Sequence, residues 1–281
     1  MRNEIICIVA MVAIVNGCVS KSVRNTNPYL GKEPIIIDHN CTETERIPKE
    51  WIEIVKSDFK ISYGHTSHGS QIISGMKALQ EKDKFYSFGS SVSKKHLTIF
   101  DREPNGDLGN PDRKTWYTRT QNLLDHGFGD TNIVMWAWCG QVSSATESDI
   151  DTYLKLMDTL EKDYPDIIFI YMTGHLDGTG ENGNLNKRNI QIRDFCRKNN
   201  KILYDFADIE SYDPDGNYFL NLNVNDRCDY VENGEDKNWA AEWCKANPDD
   251  CSNYKCSHSE PLNCDMKAKA FWWLMARLAG W

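Results

Sequence analysis

The chain of 281 residues predicts an α/β domain, a parallel sheet covered by helices on both faces. Short, almost wholly apolar runs alternate with segments of helical periodicity. The runs are continuous in their apolarity, as expected of strands buried on both sides. No internal repeat and no Pro/Gly/Ser linker divides the chain, so residues 34–281 read as one domain.

The elements come in order along the chain. Phe59–Tyr63 is predicted as a strand running into Gly64-His65-Thr66-Ser67-His68-Gly69. A helix is expected over Ser70–Gln80, where Ile72, Ile73, Met76 and Leu79 share one face. Asn132–Trp138 reads as a second strand ending at Cys139-Gly140-Gln141, and Ser148–Lys162 as a helix with Ile150, Tyr153, Leu154, Met157 and Leu160 at helical spacing. A third strand, Asp166–Met172, ends at Thr173-Gly174-His175. Lys187–Lys198 is expected to be helical, Lys201–Asp205 a fourth strand, and Asp265–Leu278 an aromatic-rich terminal helix.

Polar residues gather where the predicted strands end: Ser67 after the first, Gly140 and Gln141 after the second, Gly174 and His175 after the third. His258 stands just before the last helix. In open parallel sheets ligands bind outside the carboxyl ends of the strands, so these positions are expected to converge.

The first residues read as an export signal. Met1–Asn3 carries one Arg, and Ile5–Val15 is apolar but shorter than the ~20 residues a membrane-spanning helix needs. Val15-Asn16-Gly17-Cys18 resembles the lipobox of bacterial lipoproteins. The expectation is a signal peptide over 1–17, a lipid on Cys18, a flexible tether over 18–33, and a membrane-anchored protein of the cell envelope, periplasmic or cell-surface. An ordinary cleaved signal with a stray Cys is the alternative.

Of ten cysteines, Cys7 leaves with the signal and Cys18 takes the lipid. The remaining eight are Cys41, Cys139, Cys196, Cys228, Cys244, Cys251, Cys256 and Cys264. An even number in an exported protein points to disulfides. Five lie between Cys228 and Cys264, in a stretch rich in Asp, Asn and Gly that gains most from covalent closure. No pair has CxxC spacing, which disfavours zinc on these cysteines. The formal net charge of −9 argues against nucleic acid and against adhesion to anionic headgroups. Nine Trp residues suit either sugar stacking or core packing.

With these blocks in place, the chain resembles the SGNH (GDSL-like) hydrolase superfamily over roughly Phe59 to Leu278. The strand–turn–helix around Tyr63–Gly69 is similar to the family's first block, with one extra residue before the Ser. Gly140 stands where the second block supplies an oxyanion Gly. Pro165-Asp166 with the strand to Met172 matches the third, and His258 before the final helix matches the last. Two positions depart: His175 stands where the family has an oxyanion Asn, and Lys255 where it has the orienting Asp. The resemblance implies a three-layer α/β/α sandwich of flavodoxin-like type and ester hydrolysis without a cofactor.

Ester hydrolysis needs a nucleophile, a base and an oxyanion hole. Ser67 is the expected nucleophile, with Ser70 in reserve; the plainer role for Ser67 is a helix cap. His258 is the expected base, against the plainer reading of a surface His. Oxyanion donors would be the N–H groups of Gly140 and Ser67, with a side-chain donor from Gln141 or His175. Asp249, Asp250, Glu260 or a backbone carbonyl are candidates to orient the base. His65 and His68, spaced i, i+3, offer a different chemistry: with His175 or His258 they would hold a metal such as zinc that activates water. Asp213-Pro214-Asp215-Gly216-Asn217 starts like a Ca²⁺ loop, but Val224 occupies the twelfth position, so a turn is expected. The loop from Asn105 to Asp112 is a candidate lid. Trp116, Tyr117, Trp136 and Trp138 either line a sugar site or pack, while Trp272 and Trp273 are expected in the core. Three functions remain open: an extracytoplasmic serine esterase acting on an acylated carbohydrate or other small ester, a non-catalytic glycan-binding lipoprotein, and a metal-dependent hydrolase.

Overall fold

A computed structural model describes residues 32–281. The expected signal peptide, Cys18 and nearly all of the tether lie outside the described residues.

In chain order the elements are β1 (Ile35–Ile37), α1 (Lys49–Asp58), β2 (Lys60–Gly64), α2 (Ser70–Lys82), β3 (Phe88–Gly89), β4 (Leu97–Asp101), α3 (Thr115–Asp125), β5 (Ile133–Trp136), α4 (Glu147–Asp163), β6 (Ile168–Met172), α5 (Asn184–Lys198), β7 (Ile202–Tyr204), α6 (Phe206–Glu210), β8 (Asp229–Glu232), β9 (Glu235–Asn238), α7 (Trp239–Ala246) and α8 (Pro261–Ala279). Seven strands form one parallel sheet in the order β1-β7-β6-β5-β2-β4-β3. Ile61 of β2 lies between Ile99 of β4 and Ile133 of β5, and Val134 pairs with Phe169 of β6. Helices α1, α2 and α8 pack together as one layer, and α3, α4 and α5 as the other. This is the expected three-layer α/β/α sandwich.

The apolar runs became strands because both faces are covered: every residue of β5 and β6 is buried. Helix α4 starts one residue earlier than its apolar stripe suggests, because Thr146 and Asp149 form a reciprocal capping box. Helices α2 and α8 touch backbone to backbone at Gly75, where an added Cβ would lie 2.0 Å from the Cys264 carbonyl oxygen. The β8–β9 hairpin turns through Asn233-Gly234, both at positive φ, the conformation an Asn-Gly pair adopts at low cost.

Trp116, Trp136 and Trp138 are buried core residues, and Tyr117 packs edge-on against Trp116. Packing is therefore their role, and no sugar-stacking platform is made of them. Trp272 and Trp273 are in the core, as expected. The carboxylate of Asp213 accepts from its own loop, at the N–H groups of Asp215 and Asn217 and the amide of Asn217, which makes the segment a turn. Two disulfides close the C-terminal loop, Cys244–Cys251 and Cys256–Cys264. The expected disulfides are thus present in the cysteine-rich stretch, while among the described residues Cys41, Cys139, Cys196 and Cys228 are free. Among the described residues no helix is long and apolar enough to cross a membrane.

One buried charge pair ties the layers to the strand ends. Lys267 of α8 and Glu210 of α6 are both fully buried, with Nζ 2.6 Å from Oε1. Lys267 also donates to the Gln71 side chain of α2 and lies 4.0 Å over the Phe206 ring. Breaking such a pair from one side leaves an uncompensated charge. Lys267→Met is expected to lower unfolding stability by about 3–5 kcal/mol, read from urea denaturation followed by circular dichroism; a loss under about 1 kcal/mol would refute the role given to the pair.

Candidate active site

Three strand-end loops meet above β2, β5 and β6. The first runs from His65 to Gly69. Helix α2 begins at Ser70 with Gly69 as its cap residue, so Ser67 does not cap the helix. Instead Ser67 Oγ lies 3.5 Å from the Cys139 sulfur. Ser70 turns back and donates to the Ser67 carbonyl at 2.5 Å, which removes it as a reserve nucleophile. The second loop comes after β5: the Ala137 N–H bonds to the Gly64 carbonyl and the Trp138 indole N–H to the Met172 carbonyl, holding Cys139 at the sheet edge. A short 3₁₀ turn starts at Gly140, so the first N–H groups of that turn have no partner within it.

The third loop comes after β6 and is pinned at three points. Thr173 donates to the buried Asp205, Gly174 exchanges hydrogen bonds with the Asn189 side chain, and the Leu176 N–H donates to Glu210 Oε2 at 2.7 Å. His175 is thereby fixed. Its Nδ1 lies 2.8 Å from the Leu176 carbonyl, which only accepts, so Nδ1 carries the proton and Nε2 the lone pair. The expected role of His175 as an oxyanion donor is corrected on this ground.

His68 is the centre of the site. Its Nδ1 is 3.4 Å from Cys139 Sγ and its Nε2 is 2.9 Å from Asp226 Oδ2. The His175 ring stacks on it at 3.6 Å, nearly parallel, and the His258 ring at 4.5 Å. A thiol, an imidazole and a carboxylate thus stand in line, in the nucleophile–base–orienter order of acyl-transfer sites. Burial alone would lower the His68 pKa, but the hydrogen bonds to Asp226 and Cys139 overcome it and raise it to about 9. The hydrogen bond from His68, helped by that from Ser67, holds the Cys139 thiol down at about 6 against its burial. Between those values the pair is thiolate and imidazolium.

Several expected residues take other places. His258 is exposed, in the left-handed region at φ 59°, and makes no hydrogen bond to Ser67; it covers His68 at the mouth and is not placed as the base of Ser67. Lys255, Asp249 and Asp250 are exposed, and Asp226 is the acid that meets the His68 imidazole. The Gln141 side chain donates to Asp107 at 2.8 Å, anchoring the Asn105–Asp112 loop, so its amide is not free as an oxyanion donor. His65 has both ring nitrogens engaged, with the Thr66 carbonyl and with Asp101, which takes it out of a metal set with His68. The donors that do gather are His68, His175 and Asp226, whose ligand atoms lie within 4.8 Å of one another. A second such group, Asp38, His39 and Asp208, is held by a 2.5 Å His39–Asp208 contact. Gly140 is exposed and stands beside Cys139, where its N–H can meet a carbonyl oxygen carried to the sulfur.

Cys139 and Asp226 were missed at the level of sequence. Cys139 carried a usable signal, a polar residue at the end of a buried strand beside Gly140. Asp226 carried none, since it lies in a loop without periodicity. No known protein family matches the chain, and no curated protein matches it significantly.

Alkylation of Cys139 by iodoacetamide is expected to rise with pH around a midpoint near 6. Asp226→Asn removes the group that raises His68, so the midpoint is expected to move up toward the ordinary thiol range. An unchanged midpoint in that variant would separate Asp226 from the thiol.

Proposed function

We propose that the protein is an exported, lipid-anchored acyl hydrolase, a divergent relative of the SGNH enzymes, that uses Cys139 as its nucleophile. The observation that carries this reading is the His68 ring set between the Cys139 sulfur and the Asp226 carboxylate. Ser67, the residue expected from the resemblance, has no histidine as partner among the described residues; its hydroxyl faces the sulfur, where it helps to hold the thiolate.

The thiolate attacks the carbonyl carbon of an ester, forming a C–S bond. The Gly140 N–H steadies the oxyanion. Collapse breaks the C–O bond, and the proton on His68 Nδ1 passes to the departing alkoxide. Water then cleaves the thioester. Asp226 keeps the His68 ring turned toward the sulfur throughout, so the acid absent at position 255 is not needed there. This removes the reason for favouring a purely glycan-binding protein. Export is supported by the apolar segment before Cys18 and by two disulfides in the described part of the chain. An acylated carbohydrate is the first substrate class to try in that compartment.

Turnover of p-nitrophenyl acetate tests the proposal. Cys139→Ala and His68→Ala are each expected to lower kcat/KM by about 10²-fold or more, while Ser67→Ala retains most of it. The pH profile should be a bell with limbs near 6 and 9: below the first the thiol is protonated, above the second His68 has lost the proton it gives to the leaving group. Activity that survives Cys139→Ala and disappears with Ser67→Ala would assign a serine mechanism instead. Loss on chelation and return with zinc would assign the reaction to His68, His175 and Asp226.

A further inference from the structure

The site holds one buried histidine that the acylation step does not use. His175 is 8% exposed, and its Nε2 is buried with no hydrogen-bond partner among the described residues. Its Nδ1 is held as a donor by the Leu176 carbonyl, so Nε2 presents a bare lone pair. That nitrogen lies beside Gly140, where an added Cβ would meet His175 Nε2 at 4.0 Å, an ordinary van der Waals contact. Of the other two imidazoles in the stack, His68 has both nitrogens engaged, by Cys139 and Asp226, and His258 is exposed.

We propose that His175 is the base that activates water against the acyl group carried by Cys139. This rests on the reading of Cys139 as nucleophile and adds a second catalytic residue to it. The two imidazoles divide the reaction. His68 Nδ1 stays aimed at the sulfur, where it protonates the alkoxide in the first step and faces the departing thiolate in the second. His175 Nε2 lies beside Gly140, the side from which the attacking oxygen approaches the carbonyl in this proposal. In the second step a C–O bond forms from water and one water proton moves to His175 Nε2. The tetrahedral adduct then expels the Cys139 thiolate as the C–S bond breaks, and the carboxylic acid leaves. The proton on His175 returns to His68 through solvent at the exposed Gly140 mouth, restoring the thiolate–imidazolium pair. Burial lowers the His175 pKa, which keeps the ring neutral and ready to accept.

His175 is pinned through its neighbours rather than through its own Nε2. A side chain without a basic nitrogen is therefore expected to leave the loop in place, because Thr173, Gly174 and Leu176 keep their partners.

The experiment is rapid-mixing hydrolysis of p-nitrophenyl acetate by the purified full chain in detergent, with acid quench and peptide mass analysis at Cys139. Wild type is compared with His175→Phe, which preserves the stacking surface, and with His175→Gln, which guards against a failure of the Phe variant to fold. In both variants the first-turnover burst is expected to persist while steady-state turnover falls by about 10²- to 10⁴-fold. Acetyl-Cys139 should accumulate, and added imidazole should restore part of the turnover. Burst and steady state falling together, or both unchanged, would overturn the assignment of His175 while leaving Cys139 in place. A wild-type burst that persists in Cys139→Ala, with no acetyl on Cys139, would overturn both readings, and is distinguished by that missing adduct.

Discussion

The Lys267 ammonium and the Glu210 carboxylate lie where α2, α6 and α8 meet the sheet, both without solvent exposure. Burying two charges is costly unless every donor and acceptor finds a partner. Here the partners are supplied by the parts of the molecule that carry the site. Glu210 takes one hydrogen bond from Lys267 and another from the Leu176 N–H, next to His175. Lys267 also donates to the carbonyl of the Gln71 side chain, whose amide donates to the Ser257 carbonyl, next to His258. Gln71 itself stands three residues after His68. One ion pair therefore fixes the positions from which all three stacked imidazoles are presented. Replacing it by apolar side chains would preserve packing and lose this registration.

The site above that pair is an electrostatic balance. A buried imidazole is pushed toward neutrality, and a buried thiol is pushed toward protonation. Each is held in the opposite state by the other, with Asp226 fixing one end of the imidazole and Ser67 facing the sulfur. Stacking adds selectivity among rings that look alike in sequence. Burial lowers the His175 pKa against the carbonyl that its ring meets, which would raise it, and His68 is charged because it meets a carboxylate and a thiolate. A separation of roles among neighbouring titratable groups through their environments is how a single pocket supplies an acid and a base at one pH.

The strand-end positions of Gly140 and His175 were legible because a buried parallel strand announces itself as an apolar run, and the residues just past its carboxyl end must lie at the sheet's edge. The role of each was less legible. Ser67 and His68 are adjacent in a turn, and only the direction each side chain leaves that turn separates a residue facing the sulfur from the imidazole that bonds to it. Cys139 was counted toward disulfides because an even number of cysteines suggests pairing, yet it stands at a strand end with no cysteine partner. The tryptophans near it were ambiguous for the same reason: an apolar ring suits a core and a sugar alike, and burial decided for the core.

The sequence by itself determined the layered α/β architecture, since periodicity and apolar continuity are local properties of β2, β5, β6, α2, α4 and α8. It also determined the acidic character of the chain and the crowding of cysteines before the last helix. It did not determine the short edge strands: β1 is three residues, too few to show a pattern, and forms because β7 offers a free edge beside it. Nor did it determine the line of Cys139, His68 and Asp226. Residues 68, 139 and 226 lie far apart along the chain, and no local rule relates them. They meet because parallel strands deliver their carboxyl ends to one edge, and because a buried ion pair holds the loops beyond those ends in place.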